Sequence, residues 1–240
     1  MLSKIIIGVV LVVIGIFAFG FFTKGEPEFP PSNSPTESSE SKQSPDCPES
    51  IALQTPVDIN KVTSILYPGQ ERSGDFKPHG GFRFDSSKND EIEVRAPIDA
   101  VLAYASRYIV QGEIQYTLDF QTPCGIMYRF GHLLTLAPKF AAIAVKLPEP
   151  KENDSRTTSI EEGVKVTQGE IIATAVGFRN TKNVFVDFGV YDLTKSGAYQ
   201  NLKKFAICWF DLLSSEDGAK VKSLPSADSV SGTKSAYCKP

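Results

Sequence analysis

No basic run occurs in this sequence, and its 25 Lys and Arg are outnumbered by 28 Asp and Glu, for a formal net charge of -3. Nucleic-acid binding needs a clustered cationic face, so that class is set aside and no nucleic-acid partner is expected. The four cysteines, Cys47, Cys124, Cys208 and Cys238, contain no Cys-x-x-Cys pair, which argues against a structural zinc knuckle. No lipobox cysteine follows the apolar N-terminal stretch. No Met-Lys-Met sits at a hairpin tip, as a biotinyl or lipoyl carrier domain would require. What is present suits a turn-rich globular protein better than a helical bundle: 41% hydrophobic residues, 10% aromatics, 18 Gly and 16 Pro. Once the N-terminal segments are set apart, the remainder is the length of a single domain.

Those N-terminal segments set the compartment. Residues 5–22 form an 18-residue run without a charge, between Lys4 and Lys24. At about 1.5 Å per helical residue it is long enough to cross a hydrocarbon core. A cleaved signal peptide competes, but its apolar region usually runs about 7 to 15 residues and ends in a small-x-small site, of which Ala18-Phe19-Gly20 is a poor example. The expectation is an uncleaved single-pass membrane anchor (residues 1–24) with the rest of the chain extracytoplasmic, periplasmic or extracellular. Residues 25–50 hold six Pro and seven Ser with almost nothing apolar to bury. Such a composition cannot offset its ordering entropy and reads as an extended tether.

An oxidising compartment lets the cysteines pair. Of the connectivities open to four cysteines, the preferred one joins Cys124 with Cys208, closing the domain, and Cys47 with Cys238, tying the linker to the tail. A reactive Cys124 assisted by His132 is the competing reading. A thiol in the turn Thr122-Pro123-Cys124-Gly125 reads as a structural partner instead.

From residue 62 onward, short runs rich in Val, Ile, Tyr and Phe alternate with turns: residues 94–105, 113–120, 125–134, 163–176 and 183–190. Period-two alternation predicts half-buried antiparallel strands and an all-β sandwich or barrel. Residues 139–162 interrupt the order, first apolar and partly helical, then a polar, mobile excursion from 148 to 162. Residues 209–213 read as a short helix or turn. The folded domain then spans 51–215, with a polar tail at 216–240. The stretch Val94-Arg95-Ala96-Pro97-Ile98-Asp99-Ala100-Val101-Leu102 is echoed by Glu162-Gly163-Val164-Lys165-Val166-Thr167-Gln168-Gly169-Glu170-Ile171-Ile172, which points to a barrel-sandwich of two related halves.

The ordered set Pro78-His79-Gly80-Gly81-Phe82-Arg83-Phe84, Ala96-Pro97-Ile98-Asp99-Ala100-Val101, Tyr128-Arg129-Phe130-Gly131-His132-Leu133, the Gly163 and Gly169 turns, and Phe185-Val186-Asp187-Phe188-Gly189-Val190 resembles the LytM/lysostaphin-type metallopeptidases. The similarity runs over roughly residues 63–192. It implies an antiparallel barrel-sandwich of the duplicated hybrid motif type, and a cleft that acts on peptidoglycan. In that family zinc is held by a His-x-Gly-x-Asp segment and by the second His of a His-x-His segment. Here the first reads His79-Gly80-Gly81-Phe82-Arg83, so a guanidinium stands where the carboxylate ligand belongs. The second reads Phe185-Val186-Asp187, so a catalytic His is Phe185 and a ligand His is Asp187. Only His132 keeps its place among the residues that assist the reacting water.

A hydrolytic zinc needs three protein ligands and an open position for water. A guanidinium about 4 Å from a divalent ion would repel it by on the order of 8 kcal/mol at an effective dielectric of about 20. The resemblance therefore implies a degenerate member with no bound cofactor, working as an envelope module that binds peptidoglycan or a protein partner rather than as a peptidase. The alternative is an active zinc endopeptidase, with metal on His79 and Asp187, Asp85 as a third ligand and His132 catalytic. One finer expectation follows: Arg83 replaces the cation and pairs with Asp187. The remaining cleft candidates are Phe185 and Asp85, and Phe82, Phe84 and Phe188 read as core or cleft-lining aromatics.

Overall fold

The computed structural model describes residues 50–195 and 202–239. The apolar run 5–22, the tether up to residue 49 and Cys47 lie outside the described residues. Among the described residues no helix is long and apolar enough to cross a membrane.

The architecture is predominantly antiparallel β. One ten-stranded sheet runs in the spatial order β1 (Ser64–Leu66), β4 (Gly80–Arg83), β12 (Phe185–Asp192), β8 (Ile126–Leu136), β7 (Glu113–Gln121), β6 (Ala100–Val110) and β10 (Lys165–Val166). Three strands join off this path: β5 (Val94–Arg95) pairs with β11 (Ile171–Val176), β11 pairs with β8, and β9 (Thr158–Ser159) pairs with β6. A separate hairpin is formed by β2 (Gln70–Arg72) and β3 (Asp75–Lys77). Its two central residues, Ser73 and Gly74, both have positive φ, 53° and 82°. That geometry matches the right-handed twist of the flanking strands. Helices are few and short: α1 (Pro138–Ala144), α2 (Leu202–Phe205) and α3 (Ser215–Ser223).

The two echoing sequence stretches exchange partners. The strand after the first turn takes the strand before the second, with Val101 opposite Lys165, while the strand before the first turn takes the strand after the second, with Arg95 opposite Ile171. Backbone hydrogen bonds from Ala96 N to Glu170 O and from Gly169 N to Ala96 O close the crossing.

Strand alternation fills the core. In β12, Val186, Phe188 and Val190 are at most 1% exposed on one face, and this turns Phe185, Asp187 and Gly189 to the other. Rings then pack in sequence from Trp209 through Phe82, Phe188, Phe130, Tyr128 and Phe120 to Phe140, with centroids 5.0 to 6.0 Å apart. Each such ring contributes about 1.5 to 3 kcal/mol by leaving water. Phe82, Phe84 and Phe188 are therefore core residues, while Phe185 lies on the opposite face.

The polar excursion is ordered along the outer edge of β6. Ile109 N bonds to Lys151 O and Asn153 N to Ile109 O, β9 pairs with Tyr104 and Ala105, Ile160 N reaches Ala103 O, and Leu102 N reaches Val164 O. The C-terminal stretch is polar but folded. It begins with α3, whose Ser214 side chain accepts from Asp217 N as an N-cap. It then runs beside β1 and the β2–β3 hairpin through Ile65 N to Pro225 O, Ala227 N to Ile65 O, and Ala236 N to Gly69 O. Gln70 Nε2 donates to Gly232 O at 2.7 Å and Ser231 Oγ to Glu71 O at 2.9 Å.

This strap corrects the expected disulfide pairing. Cys208 bonds to Cys238, with Cα atoms 4.9 Å apart, and not to Cys124. The folded tail carries Cys238 back to the residue that opens the 3-10 turn Trp209–Leu212, where a linker cysteine had been expected to meet it. Cys124 is itself disulfide-bonded, so the reactive-thiol reading falls.

Candidate functional site

The site forms where β8 changes neighbours. Up to Gly131 it pairs with β12, and from Leu133 onward with β11. His132 sits between, with a φ of 60° that a branched or bulky residue rarely adopts. Its carbonyl accepts from Gly177 N at 2.8 Å, across the junction. Holding a non-glycine residue there costs on the order of 1–3 kcal/mol. In return, the imidazole leaves the sheet's ordinary alternation and enters the cleft.

Three elements converge on that point. His79 precedes β4, Asp187 lies mid-way along β12 and His132 ends the β12-paired half of β8. Asp187 Oδ2 is 3.0 Å from His79 Nε2 and 3.5 Å from His132 Nε2. The sheet opens room for this contact with glycines: Gly131, opposite Asp187 in the register, has the Asp187 Cβ 3.3 Å from where its own Cβ would stand. Likewise a Cβ on Gly189 would meet the His79 Cβ at 2.9 Å. The pattern Gly-His and Asp-Phe-Gly carried this signal in the sequence, where it read only as family resemblance.

Electrostatics polarise the cluster. Burial alone would raise the Asp187 carboxyl, but His79, His132 and Arg72 together hold it well below the usual carboxylate range. Burial pushes His132 below its ordinary value and outweighs the pull of Asp187; His79, Lys77 and Arg72 act in the same direction as burial. His132 is thus a neutral imidazole beside a carboxylate. Its Nδ1 lies 2.6 Å from Gln115 Oε1, and the buried Gln115 spends its Nε2 on Gly177 O at 2.8 Å. Gln115 Oε1 therefore acts as acceptor, which assigns the proton of His132 to Nδ1 and leaves Nε2 with its lone pair toward the cleft. Phe178 and Phe185 wall the ring at 5.1 and 4.6 Å.

The surrounding cleft has a volume of about 450 Å³, and its walls include Arg72, Lys77, Tyr108 and Arg129 besides the three clustered residues. Arg129 grips the fully buried Asp119 through two hydrogen bonds of 2.6 and 2.7 Å. Tyr108 is pushed up to about 12, chiefly by burial, and so remains a neutral phenol. Arg72 was missed from the sequence. It comes from the hairpin, donates from Nη2 to His79 O at 2.6 Å and adds positive charge near Asp187. Nothing in its sequence surroundings distinguishes it from a surface arginine.

Two expected residues do not join. Arg83 faces the same side of the sheet as Phe185, its register partner, and Asp187, two residues on. Its guanidinium nevertheless bonds Asp85 at 2.9 Å, and Asp85 also accepts from Thr63 Oγ1 at 2.8 Å. The expected Arg83–Asp187 pair is thus replaced by Arg83–Asp85, because Thr63 and Asp85 form a nearer acceptor site at the end of β4. Neither Arg83 nor Asp85 lines the cleft, so Asp85 supplies no third ligand.

The donor set consequently does not fit a hydrolytic zinc. One ligand place is an arginine turned elsewhere, and the other two, His79 and Asp187, bond each other. Arg72 and Lys77 add cationic charge to the same cleft. Among the described residues no group of three or more His, Cys, Asp or Glu is arranged to hold a metal ion.

No family model matches the chain, and no curated protein matches it. Among solved structures the chain is similar to Helicobacter pylori Csd3, seen in an orthorhombic crystal, at 17% identity and a TM-score of 0.36, over 60% of this chain and 32% of that one. The chain thus spans 32% of the length of that protein.

Proposed function

We propose that this chain is a membrane-tethered, extracytoplasmic module of the LytM-like, duplicated hybrid motif type that binds cell-wall peptide in its cleft without cutting it. The observation that carries the reading is the cluster itself. His79, Asp187 and His132 match motif positions of the resembled family's zinc site, yet His79 and Asp187 bond each other with neutral His132 beside them, while Arg83 turns away onto Asp85. A cleft with walls but no competent metal set can hold a peptide and cannot activate water by the family's route. The N-terminal apolar run and Pro/Ser tether suit a domain held off a membrane, close to the wall. A wall-bound module of this kind is placed to scaffold or activate a partner hydrolase.

The test is co-sedimentation of the full chain with purified peptidoglycan, together with release of soluble fragments and elemental analysis after a zinc soak and desalting. Binding without release and without zinc is the expected outcome. Near-stoichiometric zinc with fragment release would establish the endopeptidase instead, and failure to sediment would remove the wall-binding role.

A further inference from the structure

Arg72 has more hydrogen-bonding capacity than it uses. A guanidinium carries five N–H donors in a fixed fork suited to a carboxylate. Among the described residues Arg72 spends one of them, on His79 O. Its Nε is sealed from solvent without a partner. Burial is the main influence on this side chain, and its Coulomb partners, Asp187 and Asp228, make no hydrogen bond to it. Asp187 already bonds His79 at 3.0 Å, and Asp228 belongs to the C-terminal strap, where its Oδ1 accepts from Val230 N at 3.1 Å.

Lys77, from the other strand of the same hairpin, lines the same cleft. Its partner there is Asp75, at 3.2 Å, whose side chain is 74% exposed and therefore well screened. Across the cleft stands Arg129, held rigid by Asp119. The lining thus carries three cationic side chains against one acid, Asp187, and with Arg129 matched by Asp119 behind it the excess rests on Arg72 and Lys77. The hydroxyl groups of Ser73, Tyr108 and Ser155 share the wall. This is the inventory of a site for a negatively charged group, and one that reads a planar carboxylate in particular.

From this geometry we infer that the cleft recognises the free carboxylate of a peptide, with Arg72 as the principal contact and Lys77 as the second. The inference rests on the wall-binding reading and names the chemical group that reading leaves open. The C-terminal strap is part of the device. Gly232 O, accepting from Gln70, and Ser231 Oγ, donating to Glu71 O, fix the strand that delivers Arg72, and Asp228 supplies the counter-charge behind it.

The experiment titrates the full chain, in detergent micelles, with a short cell-wall stem peptide bearing a free C-terminal carboxylate, with the same peptide amidated at that end, and with inorganic phosphate. Hydrogen bonds to charged groups contribute enough that the acid is expected to bind about 10- to 100-fold more tightly than the amide. Arg72→Gln should bring the acid down to the amide's affinity. Because Arg72 also braces His79, Lys77→Gln is the companion variant: its side chain is 35% exposed, and the change should weaken the acid several-fold and narrow the acid-to-amide ratio. Equal binding of acid and amide, or an unchanged ratio in Arg72→Gln, overturns the inference. So does phosphate binding more tightly than the peptide acid, which would make the site a general anion trap. If peptidoglycan still sediments while acid and amide bind alike, the carboxylate assignment alone falls. If neither peptide nor peptidoglycan binds, the wall-binding reading falls with it.

Discussion

Removing the Cys208–Cys238 bond, by Cys208→Ala with Cys238→Ala, should loosen the C-terminal strap before it loosens the sheet. The bond closes a loop of 30 residues. In the chain-entropy treatment, such a loop restrains the unfolded state by about 12 cal/mol/K, or about 3.6 kcal/mol at 25 °C. That is an upper bound here, because the strap keeps its backbone bonds to Ile65 and Gly69 and its side-chain bonds to Gln70 and Glu71. Changing both cysteines leaves no free thiol to attack the disulfide that holds Cys124. Denaturant unfolding followed by Trp209 fluorescence gives the global loss, since that ring is fully buried beneath the 3-10 turn that Cys208 opens. Hydrogen exchange read by mass spectrometry gives the local one, at Ala227 and Ala236, whose amides bond to Ile65 O and Gly69 O. The expected result is a loss of about 2 to 3.6 kcal/mol with the earliest exchange in residues 225–238. A loss under about 1 kcal/mol with unchanged exchange there would refute the argument that the bond holds the strap.

Replacing Gln115 by Leu leaves His132 Nδ1 and Gly177 O without their buried partner; unfolding should show a loss of about 2–4 kcal/mol, and nitrogen NMR of His132 should show the two tautomers mixing. Stability should rise with pH through two windows. In the first, below the ordinary His value of 6.5, the unfolded chain takes up a proton that folded His132 refuses. In the second, below the ordinary Asp value of 3.8, the unfolded chain protonates while Asp187 stays charged. His132→Gln should flatten the slope just below pH 6.5 in urea titrations and shrink the acid limb, which His79 and Arg72 still support. Finally, Arg83→Asp combined with Asp187→His should raise zinc to near stoichiometry in elemental analysis, against little or none expected in the unaltered chain; failure of the pair to load would show that the cleft's cations, more than its missing ligands, oppose metal.

Much of the fold was legible in period-two patterning. The runs around residues 113–120, 125–134 and 183–190 became β7, β8 and β12 with shifts of one or two residues, and the echoing stretches became partners that swap. The β2–β3 hairpin escaped notice because three-residue strands are too short to display a period. The folded tail escaped because, apart from the buried Val221, its order comes from hydrogen bonds and one disulfide, neither of which needs apolar residues. At the site, His79, His132 and Asp187 were legible because their spacing follows a motif. Arg83 misled: register gives a residue's face but not where a long, flexible side chain will find its nearest acid, and Asp85 was two residues away. Arg72 could not be found by pattern, since its role depends on a tail more than 150 residues later in the chain.

The stitched excursion beside β6 has a consequence for solubility. An eleven-residue strand at the margin of a sheet offers a row of open N–H and C=O groups to any other extended chain. Here that row is occupied by the protein's own irregular backbone between residues 151 and 166. The occupying stretch is rich in charge and too uneven to serve as a template in its turn. A chain shortened through this loop would lose the Asn153 and Ser155 edge of its cleft, and would be expected to aggregate along the newly bared margin.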